Sequence, residues 1–172
     1  TQCALQGLDG CDYEDAADGG RYKTQHGALR IHGEVDRVFA DAPDSLLLQR
    51  GGKPDLRIVQ GGFADTVVWC PGPDIAAAFT DMPAGDWRHM LCVEAAAAAK
   101  PMTLPAGRHW QGWQHLTVSE GRCVLGPVFT DTRLADGRSK QRPYATAIDL
   151  QIAKYFFFFF LRLSYSASPI KS

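Results

Sequence analysis

Short apolar runs recur about every ten residues through the first part of the chain, and this spacing constrains the fold more than any other feature. Residues 28–32, 36–40, 45–49, 55–60 and 66–70 each read as a strand. They are separated by Gly, Pro and Asp punctuation such as Asp41-Ala42-Pro43-Asp44 and Gly51-Gly52-Lys53-Pro54. A single helical interruption is expected, one or two turns over the apolar, Ala-rich residues 74–81. Strand following strand without helical crossovers argues for an antiparallel sandwich or barrel rather than β-α-β units. The predicted class is therefore all-β with one short helical turn.

Residues 65–95 form the stretch around which the rest is organised. The strand at 66–70 stops at Pro71-Gly72-Pro73, and a turn through Met82-Pro83-Ala84-Gly85-Asp86 leads to a second strand at 89–95. Period-2 alternation puts Met90, Cys92 and Glu94 on one face of that strand and Leu91, Val93 and Ala95 on the other. Glu94 is the one acid in the otherwise apolar run 90–99. Such a carboxylate must reach solvent at the strand end, find a partner, or sit in a site that raises its pKa for proton transfer.

The order of motifs narrows these alternatives. Asp65-Thr66-Val67-Val68-Trp69-Cys70-Pro71, then Asp81-Met82-Pro83, then Cys92-Val93-Glu94, resembles the glucose-6-phosphate 1-epimerase branch of the aldose 1-epimerase (mutarotase) family. The match runs back through Gly7-Leu8-Asp9-Gly10, Tyr13-Glu14-Asp15 and Glu34-Val35-Asp36-Arg37-Val38-Phe39. It runs forward to Pro105-Ala106-Gly107 and residues 110–118. It thus covers roughly residues 3–119, and its specificity lies in the ordered set. The resemblance implies the C-terminal part of a large galactose-mutarotase-like antiparallel β-sandwich.

It also implies a chemistry. Exchanging the anomers of an aldose requires a base to take the C1 hydroxyl proton while an acid protonates the ring oxygen, after which the roles reverse. No metal or organic cofactor is required. Glu94 aligns with the family's base, and Asp36 aligns with an aspartate that contacts sugar hydroxyls; the alternative for Asp36 is a strand-edge charge paired with Arg37. The expected substrate and partner is a sugar phosphate, glucose 6-phosphate or a related hexose 6-phosphate. The family's general acid is a histidine in the half that precedes the Gly7-Leu8 motif, together with arginines that hold the phosphate. His26, His32, His89, His109 and His115 do not match that motif. Cys70 stands where the family commonly has Asn, Tyr13-Glu14-Asp15-Ala16 lacks the usual lysine, and Ala95-Ala96 replaces a common Pro-Gly. The chain by itself is therefore expected to show little or no activity. A different class of function is a non-catalytic carbohydrate-binding sandwich, with Trp69, Trp87, Trp110 and Trp113 as stacking faces, although Trp69 reads as core.

Composition bounds the rest. A net charge of −1 gives no reason to expect nucleic acid or an anionic membrane surface as partner. Five widely spaced cysteines without a CxxC read as reduced thiols of a cytoplasmic protein. The acid-rich residues 9–20 lack EF-hand spacing and read as a solvated loop rather than a metal site. Gly51-Gly52-Lys53 lacks P-loop spacing. No secretory leader opens the chain, and a start at Thr1 rather than Met suggests a longer product.

The character changes after residue 119. Residues 1–119 carry ten basic and fifteen acidic side chains, whereas residues 120–172 carry eight and four. The later segment holds five consecutive phenylalanines within 155–161, too short a run for a membrane span, which takes about 20 apolar residues. Residues 1–119 are expected to form the sandwich portion. Residues 120–172 are expected to be a tail outside the family pattern.

Overall fold

The computed structural model describes residues 3–99, 102–105 and 107–118, and the backbone pairing of two further strands at 125–130 and 147–150. In chain order the strands are β1 (Cys3–Gln6), β2 (Asp12–Asp15), β3 (Arg21–Thr24), β4 (Leu29–Ile31), β5 (Val35–Phe39), β6 (Ser45–Arg50), β7 (Lys53–Gly61) and β8 (Asp65–Cys70). The helix α1 (Gly72–Ala76) follows, then β9 (Cys92–Ala96), β10 (Met102–Pro105), β11 (Gly112–Val118), β12 (Leu125–Thr130) and β13 (Ala147–Leu150). One sheet runs β12-β11-β7-β6-β1-β4 and another runs β3-β2-β5-β8-β9, while β10 pairs with β13. Every pairing is antiparallel. The all-β class with one short helical turn is as expected.

The core lies between the two large sheets. Leu5, Leu29, Leu46, Leu48, Leu56, Ile58 and Leu116 come from the first, and Tyr13, Val35, Phe39, Val68 and Cys70 from the second. Alternation explains the choice: Leu46 and Leu48 stand opposite Ile58 and Leu56, so one face of the β6–β7 ladder is continuously aliphatic. Phe39 is fully enclosed, its ring centroid 5.0 Å from that of Tyr13.

Residues 9–20 depart from the solvated-loop expectation. They contain β2 and a 3₁₀ turn, Ala16–Asp18. The acids that suggested solvation instead bind across to neighbouring chain segments. Asp9 Oδ1 accepts from Gly27 N–H at 2.6 Å, and Asp12 Oδ1 accepts from the Thr24 hydroxyl at 2.6 Å. Asp15 is buried and accepts from Lys23 Nζ at 2.9 Å, with Arg37 Nε 3.8 Å away. The strand expected at 89–95 starts later, at Cys92, because Asp86–His89 closes into a 3₁₀ turn behind Gly85. Helix α1 begins earlier than expected, at the glycine between two prolines.

That glycine is required. Gly72 has φ +64°, and a Cβ there would lie 2.5 Å from the backbone nitrogen of Glu34. The loop after β8 is thereby pressed against the residue preceding β5. The phenylalanine run lies outside the described residues. Within residues 120–172, the segments 125–130 and 147–150 pair with β11 and β10.

Truncating the most enclosed aromatic tests this account of the core. Phe39→Ala should cost about 3–5 kcal/mol, read as a fall in urea midpoint at unchanged slope.

Candidate functional site

Strand β8 lies between β5 and β9, and its registers define two rows of side chains. Asp36 is opposite Trp69, which is opposite Cys92; Val38 is opposite Val67, which is opposite Glu94. Residues directly opposed in a ladder share a face, and positions two apart along a strand share it too. Asp36, Trp69, Cys92, Val38, Val67 and Glu94 therefore occupy the face opposite the one that carries Val35, Phe39, Val68 and Cys70, and on it Val38, Val67 and Cys92 are themselves buried. The second row continues through Glu14 on β2 to Tyr22 on β3.

The two residues expected to carry the chemistry are thus brought to one face, two strands and one row apart. Standard strand spacings put their Cα atoms roughly 12 Å from each other. Glu94 is half-buried. Burial raises its pKa above the ordinary glutamate range, and the Asp36 carboxylate raises it further. Beside it the Cys92 thiol is pushed up to about 12 by burial, with Glu94 and Cys70 adding to the effect. Cys92 therefore stays protonated at neutral pH and is no nucleophile.

Arg37 does not neutralise Asp36. As the next residue on β5 it points to the opposite face, where it donates to Gln25 Oε1 at 3.0 Å and lies 4.5 Å over the Tyr13 ring. The alternative of an Asp36–Arg37 pair is corrected by this alternation. Trp69 also departs from expectation: it is half-buried on the carboxylate-bearing face, directly across from Asp36, rather than in the core.

Two contacts that the motifs did not signal fix the strand that carries Glu94. Asp65, 2% exposed, accepts hydrogen bonds from the backbone N–H groups of Ala98 and Ala99, each at 2.8 Å. Gln114 Nε2 donates to the carbonyl of Val93 at 3.2 Å, tying β9 to β11 of the other sheet. Gln60 in turn fixes the start of β8, donating to the Thr66 hydroxyl at 3.0 Å. Asp65 had one legible signal, an acid placed directly before a continuous apolar strand.

None of the five histidines lies in the two rows. His26 and His32 are exposed on either side of β4, His89 is exposed on the 3₁₀ turn before β9, His109 is exposed before β11, and His115 is on β11. The carboxylates come together; an imidazole to complement them does not.

No family model matches the chain. It is 33% identical over 114 residues to a Cenchrus ciliaris protein named "Putative glucose-6-phosphate 1-epimerase", an alignment taking in 65% of this chain and 35% of that protein. The similarity bears out the family resemblance read from the motifs. The chain spans about 35% of the length of the curated relative it matches.

The electrostatics can be tested by carboxyl ¹³C NMR. Glu94 should titrate above the ordinary glutamate value of 4.5, and Asp36→Asn should lower its pKa without normalising it, since burial is the larger cause. The sign for stability follows by linkage. The folded state holds the Glu94 proton more tightly, so this group's contribution favours folding at low pH. It is lost as pH rises from 4.5 to the raised value. Relative to wild type, Glu94→Gln should therefore gain urea stability on going from acidic to neutral pH.

Proposed function

We propose that this segment carries the base and one sugar-orienting carboxylate of a hexose 6-phosphate anomerisation. The observation that carries the reading is the placement of Asp36 and Glu94 on one face of β5-β8-β9, with the pKa of Glu94 raised. The named relative supports the substrate class.

In this reading Glu94 takes the proton of the C1 hydroxyl. The C1–ring-oxygen bond breaks as a general acid protonates the ring oxygen, giving the open aldehyde. Rotation about C1–C2 and closure on the other face, with the two proton transfers reversed, completes the exchange. A raised carboxyl pKa suits this role, because a base works best when its pKa lies near the operating pH. Asp36, in the adjacent row, accepts from hydroxyls and sets the ring's orientation. Trp69, opposite Asp36, offers an aromatic face to the C–H side of a pyranose. Neither base nor orienting group calls for a metal or organic cofactor. The resemblance assigns the acid to a histidine outside the stretch matched here, so the 172-residue chain is expected to bind sugar without driving exchange.

The test combines binding and exchange. On titration with glucose 6-phosphate, the carboxyl resonances of Glu94 and Asp36 should shift, and Asp36→Asn should weaken binding by about tenfold. Anomer exchange followed by ¹³C exchange NMR should stay at the spontaneous rate. Absence of any sugar-dependent shift at either carboxylate would reject the reading. Exchange above background that disappears in Glu94→Gln would place the acid within this chain and overturn the division of labour.

A further inference from the structure

On the other side of β8 and β9 from Glu94, where the ends of the two sheets meet, lies a cavity of about 270 Å³. Its floor is apolar and well enclosed: Leu48, Cys70 and Met90 are 3%, 1% and 7% exposed. Its rim is basic, formed by His32, Arg88 and His89, all exposed. Arg50 also lines it, but its Nε donates to Asp55 Oδ2 at 3.0 Å, so its charge is compensated. No acidic side chain is among the lining residues. The indole of Trp87 is part of the wall, and the Arg88 guanidinium lies 4.8 Å from its ring centroid.

We propose that this cavity binds a small organic anion with a flat apolar body, of the aromatic carboxylate class. The apolar floor supplies no partner for a bare hydrated anion, which would gain little by entering. A neutral ring would fill the floor and leave the rim's charge unmatched. An amphipathic anion satisfies both. The contact with the Trp87 ring limits the freedom of the Arg88 guanidinium at the rim, which lowers the cost of pairing its planar fork with a carboxylate. The volume lies near the lower limit for ligand pockets, about 300 Å³, which suits a ligand of one ring. The site shares no residue with the Asp36–Glu94 rows, so the two readings stand or fall separately.

Isothermal titration calorimetry of the whole chain with phenylacetate tests this, with phenylacetamide and inorganic phosphate as controls. Phenylacetate should bind at one saturable site, with each control at least about tenfold weaker. Arg88→Gln should weaken phenylacetate by about tenfold or more and Arg88→Lys by less, since the charge remains and the fork is lost. Arg88 is exposed, so both variants should keep the wild-type far-ultraviolet circular dichroism. Absence of saturable phenylacetate binding would overturn the proposal. So would equal binding of the amide, equal binding of phosphate, or indifference to Arg88→Gln.

Discussion

The register of β8 between β5 and β9 is the constraint on which the rest depends. Strand side chains have a period of two, so each residue of Asp65–Cys70 is committed to one face by its pairing. Thr66, Val68 and Cys70 go inward, and Val67 and Trp69 go outward with Asp36, Glu94 and Cys92. A slip of β8 by one residue would turn Trp69 toward the core and expose Val68, which is now fully enclosed. The polar contacts at the ends of β8 oppose such a slip. Gln60 holds Thr66, Asp65 holds Ala98 and Ala99, and the loop at Gly72 is seated against Glu34. These buried polar groups contribute less through their own energy than through the cost of leaving them unpaired in any other register.

The same alternation sorts the charges. Asp36 and Arg37 are neighbours in sequence and on opposite faces of a sheet. Arg37 joins Asp15, Lys23 and Gln25 toward the core side of the β2-β5 pair, where a buried carboxylate needs cationic company. Asp36 is left with Glu94 on the other face, and its field adds to burial in raising the Glu94 pKa. A helix would not separate adjacent residues so completely. The electrostatic character of the candidate site is thus a consequence of strand geometry, set before any ligand is considered.

Much of this was legible in the sequence, and the failures have physical causes. The apolar runs from residue 28 to residue 70 announce β4 to β8 because their hydrophobic pattern and their punctuation agree. Glu94 stood out because a lone acid in an apolar run needs a reason. Strands β2 and β3 were missed because Asp12, Asp15, Arg21 and Lys23 look like surface residues, and their partners are each other, across a hairpin that a linear reading does not close. Trp69 was misassigned because a large aromatic within an apolar strand suggests core. Its neighbours' register, not its own chemistry, sends it to the face that carries the carboxylates. Asp65 is legible only in part, since the amides it holds belong to a small-residue stretch with no side-chain signal of its own.

The rows also define what the candidate site lacks. Reading across β3, β2, β5, β8 and β9, they offer Tyr22, Glu14, Val38, Val67 and Glu94, then Asp36, Trp69 and Cys92. These comprise three carboxylates, a thiol and two aromatic rings, but no positive charge. A phosphate ester brought to this face would meet three acids, and repulsion from them would have to be outweighed by cations elsewhere. The cationic groups nearest in sequence are accounted for: Arg37 faces the other way, and Arg88 rims the cavity on the far side of β8 and β9. Recognition of the sugar ring and recognition of the phosphate are therefore separable demands. Under the proposed reading, the two rows would serve the first and would depend on groups outside them for the second.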